Sequence, residues 1–294
     1  LPRAIKVYRG RFAPSPTGPL HLGSLFTAVA SWLSAKAARG QWLLRIEDID
    51  PPREPPSAIG RILSSLSTHG LVSDETVLLQ RDRHEAYAAA VEDLLAAEHA
   101  FYCTCSRQDL AVAREQHPPQ CANSKQFPGV PASIRVHMPA DRYSFEDALL
   151  GHVDIPVTED SFVIRRKDGL FAYHLAVVVD DAFQHISHIV RGRDLLDSTP
   201  YHLRLQHLLG LPTPAYSHLP LLLNDQGRKL SKQNLADPLD DDIAPDNLRF
   251  CLEALGQPQA PARLGDCASL LAWAVEHWDC SRVPRHDLPV THQT

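Results

Sequence analysis

Residues 11–24, RFAPSPTGPLHLGS, join a loop stiffened by three prolines to a His-x-Gly turn and then to an amphipathic apolar run. Upstream, Ala4, Ile5, Val7 and Tyr8 predict a short strand, whereas Leu22, Leu25, Phe26, Val29, Ala30 and Leu33 recur at helical spacing. A chain that passes from strand to helix through such a loop presents orphan backbone N–H groups and the positive end of the helix dipole, which together suit a nucleotide phosphate. Gly23, lacking a Cβ, lets a flat base approach the backbone. His21 can donate to a phosphate oxygen, with a charge set by its surroundings. An ordinary Pro/Gly loop with a surface histidine fits the same residues, so a second signal is needed.

That signal is residues 219–233, LPLLLNDQGRKLSKQ, an apolar run followed by a turn on Asn224, Asp225 and Gly227 and then by Lys229 and Lys232 around a serine. Ammonium groups on a loop suit the charge that builds on a triphosphate during displacement. The chain has 294 residues, 44% hydrophobic, without the run of about 20 apolar residues that a membrane span needs. Its opening, LPRAIKVYRG, has no apolar core of a secretory signal, so a cytoplasmic location is expected. The net charge of −6 runs against the basic footprint common in nucleic-acid binders. Two local clusters, Arg165–Arg166–Lys167 and Arg191 with Arg193, could still supply phosphate contacts, although the first also reads as a solvated hairpin turn.

Cysteine usage points toward a metal. Cys103 and Cys105 form C-x-C, and His117 and Cys121 follow as H-x3-C, in a chain expected to be cytosolic, where disulfides are uncommon. Three thiolates and one imidazole would close a tetrahedral structural zinc site, one Zn2+ per chain. Buried hydrophobic thiols are the competing reading. Cys251, Cys267 and Cys280 read as buried or incidental thiols. Asp180 and Asp181 look like a metal pair, or like one carboxylate that orders a turn.

The segments HLGS (residues 21–24) and KLSKQ (229–233) resemble the two signatures of class I aminoacyl-tRNA synthetases. The strings RFAPSPTGPLHLG, LLRIEDIDPPR (43–53), DGLFAYHLAVVVDD (168–181) and IVRGRDLLDSTPYH (189–202) resemble the glutamyl-tRNA synthetase branch, over roughly the first 240 residues. The resemblance implies a fold of class α/β: a Rossmann-type catalytic core with an inserted α+β subdomain that carries the zinc site, and a small helical C-terminal region. It divides the chain into 1–98 and 191–240 as the two halves of the core, 99–190 as an acceptor-binding-like insertion, and 241–294 as the helical end. Beyond Pro284 a loose end is expected.

Residues 234–294 are too few for an anticodon-binding module, so the chain resembles the truncated paralogue of that branch. That paralogue activates L-glutamate and attaches it to the queuosine base of tRNA(Asp). The resemblance implies a glutamate pocket of Arg11, Ala13, Ser15, Glu47, Tyr173 and Arg191. Catalysis would rest on His21, Gly23, Lys229 and Lys232, with His21, Gly23 and Lys232 at the ATP, Mg2+ bridging its phosphates, and a monomer as the working unit. Two other readings stay open: a shortened synthetase that charges a tRNA 3′ end, and a silent paralogue that binds glutamate or a nucleotide.

Overall fold

A computed structural model of the chain describes residues 7–106, 108–109, 129–230 and 237–290. The first described strand, β1, is Arg9–Phe12; Val7 and Tyr8 precede it outside any strand, and Ala4 and Ile5 lie outside the described residues. The shift has a physical cause. Arg9 and Arg11 sit in a strand because each is bonded to an acid, Arg9 to Glu75 and Arg11 to Asp181, so their charges do not keep the segment in water.

β1 is followed by α1 (Leu22–Ala37), β2 (Gln41–Ile46), α2 (Ala58–Thr68), the short β3 (Leu78–Leu79) and α3 (His84–Ala96). β1, β2 and β3 run parallel in that order. The next strands are β4 (Ala100–Cys103), β5 (Ser133–His137), β6 (Asp141–Asp147), β7 (Gly151–Val157) and β8 (Ser161–Arg165). α4 (Tyr173–Phe183), β9 (His188–Gly192), α5 (Thr199–Leu208), β10 (Ala215–Leu219) and β11 (Leu222–Leu223) come after them. α6 (Ala244–Ala254), α7 (Cys267–His277) and β12 (Leu288–Pro289) complete the order.

A second sheet runs β7-β6-β10-β9, with β9 and β10 parallel and β6 and β7 an antiparallel hairpin. The Ser187 N–H donates to the Arg9 carbonyl (2.9 Å) and the Arg9 N–H to Ser187 Oγ (2.8 Å), which sets β9 beside β1. The parallel strands therefore lie in the order β3-β2-β1-β9-β10. This is the doubly wound arrangement, whose order reverses between β1 and β9 and opens a crevice beyond the carboxyl ends of those two strands. β4, β5 and β8 form a separate antiparallel sheet. Residues 100–165 thus supply both this small sheet and the β6–β7 hairpin on the edge of the main one.

The main core packs Leu25, Phe26, Val29 and Leu33 of α1 on Trp42 and Leu44 of β2, with Leu248 and Leu252 of α6 and Leu270 and Leu271 of α7 in the same cluster. The C-terminal helices therefore brace the underside of α1. Of the loose end expected after Pro284, the described residues up to Val290 are tied down: β12 pairs in parallel with β11, and Asp287 Oδ1 accepts from the Leu221 N–H (2.8 Å). Among the described residues no helix is long and apolar enough to cross a membrane.

Candidate active site

At the switch point lies a cavity of about 640 Å³. It is lined by Arg11, Ala13, Ser15, His21, Gly23, Glu47, Tyr173, Arg191 and Lys229, together with Asp194, which sequence reasoning did not single out. Arg11 comes from the carboxyl end of β1, Glu47 follows β2, and Arg191 sits near the end of β9. Lys232, His117 and Cys121 lie outside the described residues.

One wall is the start of α1. His21 is its N-cap and is nearly buried; its Nδ1 accepts from the Ser24 N–H (3.2 Å), and its Nε2 lies 3.1 Å from Ser24 Oγ. The imidazole is thus folded over the first turn of the helix, beside the orphan N–H groups that favour anions. Gly23 is glycine for a reason that the sequence did not disclose. A methyl group there would stand 3.2 Å from both the His21 ring and the Leu230 carbonyl, so the lysine-bearing segment runs directly against the helix start.

The predicted turn at Asn224–Gly227 is present, with Gly227 at φ +69 and Asn224 Oδ1 accepting from the Gln226 and Arg228 N–H groups. It folds Lys229 back beside Leu223 in an antiparallel bridge. The Lys229 ammonium pairs with Asp194 at the cavity wall.

Beneath the cavity is a compact group of buried charges. Asp181 accepts from Arg11 Nε (3.1 Å) and Nη2 (3.4 Å) and from Arg45 Nη1 (2.8 Å). Arg45 Nη2 lies 3.5 Å from Glu47 Oε1. Burial opposes ionisation of Asp181, yet the two guanidinium groups hold its carboxyl below the usual range. Glu47 differs. Burial outweighs the pull of Arg45 and Arg11, and its carboxyl is pushed up to about 7. Tyr173, the first residue of α4, is raised by burial to about 12 and so keeps its hydroxyl proton.

The fork of Arg11, a residue placed in the glutamate pocket by the family resemblance, is engaged by Asp181, which leaves Nη1 as the nitrogen without a protein partner among the described residues. Arg191 is buried and held by four groups: Nε donates to His218 Nε2 (3.0 Å), Nη1 to His202 Nδ1 (3.1 Å), and Nη2 to the Leu195 carbonyl (3.2 Å) and Thr199 Oγ1 (2.9 Å).

Two sequence expectations change. Asp180 and Asp181 are not a metal pair: consecutive helical residues face different sides. Asp180 accepts from Gln80, Arg83 and Tyr87, whereas Asp181 faces Arg11 and Arg45. Neither carboxylate orders a turn. Arg191 with Arg193 is not a phosphate surface either, because Arg191 is buried and Arg193 donates to the Arg285 carbonyl and Asp287. Arg165, Arg166 and Lys167 do form a hairpin turn, with Gly169 at φ +90 and the Arg166 N–H donating to the Leu170 carbonyl (2.8 Å). Lys167 Nζ reaches the Thr104 carbonyl (2.7 Å), between Cys103 and Cys105. Those two cysteines pack with Phe101 in a small cluster at the end of β4. Cys251 is buried in the main core, where burial pushes its thiol up, while Cys280 is exposed. Among the described residues no group of three His, Cys, Asp or Glu side chains could hold a metal ion.

Residues 7–247 match the family model described as tRNA synthetases class I (E and Q), catalytic domain. A glutamyl-Q tRNA(Asp) synthetase of Xanthomonas campestris pv. campestris is 50% identical over 283 residues, covering 95% of this chain and 94% of its own. One from Pseudomonas syringae pv. tomato is 47% identical over 281 residues, 95% of each chain. A glutamate tRNA ligase from Elizabethkingia meningosepticum, solved in complex with its amino acid, superposes with a TM-score of 0.80 at 25% identity, over 97% of this chain and 67% of the other. With its motifs gathered at one switch-point cavity, the chain belongs to the glutamate and glutamine class I tRNA synthetase family, within the branch of the glutamyl-Q tRNA(Asp) synthetases.

Proposed function

We propose that the chain activates L-glutamate with ATP and transfers it to the queuosine base of tRNA(Asp), in the cytoplasm and as a monomer. The observation that carries this reading is convergence. Two arginines, Glu47 and Tyr173 share one cavity with the N-terminus of α1 and with Lys229, so a dicarboxylic amino acid and a triphosphate have complementary walls a few ångströms apart.

In the first step the α-carboxylate of glutamate attacks the α-phosphorus of ATP. A C–O–P anhydride forms, the bond to the β,γ-diphosphate breaks, and pyrophosphate leaves. Arg11 and Arg191 receive the two carboxylates, Glu47 the α-ammonium, and the Tyr173 hydroxyl lines the pocket, with Ala13 and Ser15 on the loop that closes it. The N–H groups at the start of α1, His21 and the close approach allowed by Gly23 hold the nucleotide. Lys229 and Lys232 answer the charge on the departing pyrophosphate, and Mg2+ carried by the triphosphate neutralises phosphate oxygens. No covalent nucleophile from the protein is needed. In the second step a hydroxyl of the queuosine cyclopentene ring attacks the activated carbonyl, a new ester C–O bond forms, the acyl C–O bond to the phosphate breaks, AMP leaves with that oxygen and the hydroxyl proton passes to the departing phosphate or to water. The transfer is tested with labelled glutamate and tRNA(Asp) carrying or lacking queuosine, with label expected on the modified tRNA alone.

Glutamate affinity should depend on pH through Glu47. Its carboxyl, raised by burial to about 7, must be ionised to pair with an ammonium. As pH falls below 7 the free enzyme becomes protonated there, and the glutamate KM in ATP–pyrophosphate exchange should rise by about tenfold per pH unit, while kcat moves little. A glutamate KM that stays flat from pH 8 to pH 6 would remove Glu47 from the ammonium site.

The same family likeness divides the chain into a catalytic core (1–98 and 191–240), an acceptor-binding-like insertion (99–190) and a helical end (241–294), with one structural zinc on the insertion. Cys103, Cys105, His117 and Cys121 would hold that ion. The donor types suit zinc, and the first two stand together at the end of β4 in a loop tied down by Lys167. Metal analysis of protein purified without chelator should give about one zinc per chain; none would leave the cysteines as buried thiols.

A further inference from the structure

Arg11 and Arg191 face the same cavity but are held in opposite ways. Arg11 shares Asp181 with Arg45, so its charge is met by a carboxylate at hydrogen-bond distance. Among the described residues Arg191 has only neutral acceptors: the Leu195 carbonyl, Thr199 Oγ1, His218 Nε2 and His202 Nδ1. A guanidinium has five N–H donors. Four are taken by described residues, and one N–H of Nη1 has no partner among them.

Neutral acceptors work only if each imidazole presents a lone pair to Arg191, and the surroundings dictate this. Asp147 Oδ2 lies 2.6 Å from His218 Nδ1. As an acceptor-only group, the carboxylate fixes the proton on Nδ1 and frees the Nε2 lone pair for Arg191. Thr199 Oγ1, 3.3 Å from the same Nε2, is compatible with that assignment. His202 takes the opposite tautomer: Nδ1 accepts from Arg191, so Nε2 carries the proton and points to His174 Nδ1 at 3.2 Å. Burial holds His218, His202 and His174 below the ordinary histidine value, His174 at about 4, so all three are neutral near pH 7. Asp147 is itself anchored. Burial works against its charge, but His218 and the Leu150 and Leu149 N–H groups keep its carboxyl below the usual range.

We infer that Asp147 and His218, with His174 behind His202, are positioning residues for Arg191. They hold its guanidinium as a cation uncompensated by any directly bonded carboxylate and turn its remaining N–H toward the cavity. The inference rests on the proposed reading that Arg191 receives a carboxylate of glutamate. It adds a buried chain, Asp147–His218–Arg191–His202–His174, spanning β6, β10, β9, α5 and α4.

Asp147→Asn tests it with a forced geometry. Oδ1 of Asp147 accepts from the Leu149 (3.0 Å), Leu150 (2.9 Å) and His218 (3.3 Å) backbone N–H groups. The asparagine oxygen must take that place, which puts the NH2 against His218 Nδ1. His218 then carries its proton on Nε2 and meets Arg191 Nε–H donor to donor. The glutamate KM should rise about tenfold, the scale of a lost hydrogen bond to a charged group, with the ATP KM within about twofold of wild type. His218→Gln supplies an oxygen in place of Nε2 and should cost less than about threefold. Adding Asp147→Asn to it should then cost no more than about twofold, because no tautomer remains to be set.

Imidazole nitrogen-15 shifts of His218 supply a readout independent of substrate: Nδ1–H in the wild type, Nε2–H in Asp147→Asn. A wild-type His218 protonated on Nε2 or on both nitrogens overturns the inference, as does an unchanged glutamate KM in Asp147→Asn or an equal rise in the ATP KM. Arg191→Ala separates the two layers. If it leaves the glutamate KM unchanged, the role of Arg191 in glutamate binding fails, while the His218 tautomer still decides the positioning chain.

Discussion

Adenylate formation should fall by a factor on the order of 100 or more when Lys232 is replaced by alanine, the scale of losing one preorganised charge stabiliser. The cause is electrostatic. In the displacement at the α-phosphorus, negative charge grows on the leaving pyrophosphate, and in the proposed reading the start of α1 with His21 holds the nucleotide. Lys229 is already paired with Asp194 at the cavity wall, so part of its charge is answered by the protein before any ligand arrives. Lys232 is the second ammonium of the same segment. Its loss should lower kcat with little change in the glutamate KM, because it acts on charge that exists only in the transition state. Lys232→Arg should recover part of the rate, since it keeps the charge but not the compact ammonium. Exchange within about threefold of wild type in the alanine variant would remove Lys232 from the mechanism.

The second large effect is on stability. Asp181→Ala should destabilise the fold by about 3–5 kcal/mol, the cost of leaving buried charge unpaired. Arg45 is wholly buried and Arg11 nearly so, and both bond the same carboxylate. Without Asp181, Glu47 at 3.5 Å is the one acid left within ion-pair distance of Arg45 among the described residues, and its own carboxyl sits near 7. The pH dependence has a definite sign. Asp181 is depressed in the folded protein, so its contribution is present above its unfolded value of 3.8 and is lost as pH falls through the lower folded value. Urea unfolding at pH 7.5 measures the effect, and a loss below about 1 kcal/mol would contradict the account of the cluster.

Particular residues show what the sequence could and could not disclose. The start of α1 was legible because the apolar spacing from Leu22 to Leu33 and the glycine after His21 are local signals. β1 was misplaced because hydrophobic periodicity is blind to arginines that are paired by residues 66 and 170 positions away, Glu75 and Asp181. β12 escaped notice for a similar reason: two residues pair with β11 across a long stretch of chain. Asp180 and Asp181 looked like a ligand pair because adjacency in sequence was read as adjacency in space, whereas a helix turns about 100° per residue. At the site, the described candidate residues for glutamate and ATP line one cavity, with Arg11, Glu47 and Arg191 brought there by the carboxyl ends of β1, β2 and β9. The roles of the residues behind them were not legible. His174 and His202 fall inside the family strings without a role assigned, Asp147 and His218 fall outside them, and the four are scattered over four elements.

Glutamate-dependent ATP–pyrophosphate exchange in the absence of tRNA is the decisive measurement. The proposed function requires exchange with glutamate and ATP alone; exchange that appears only after tRNA is added, or no exchange at all, would overturn it.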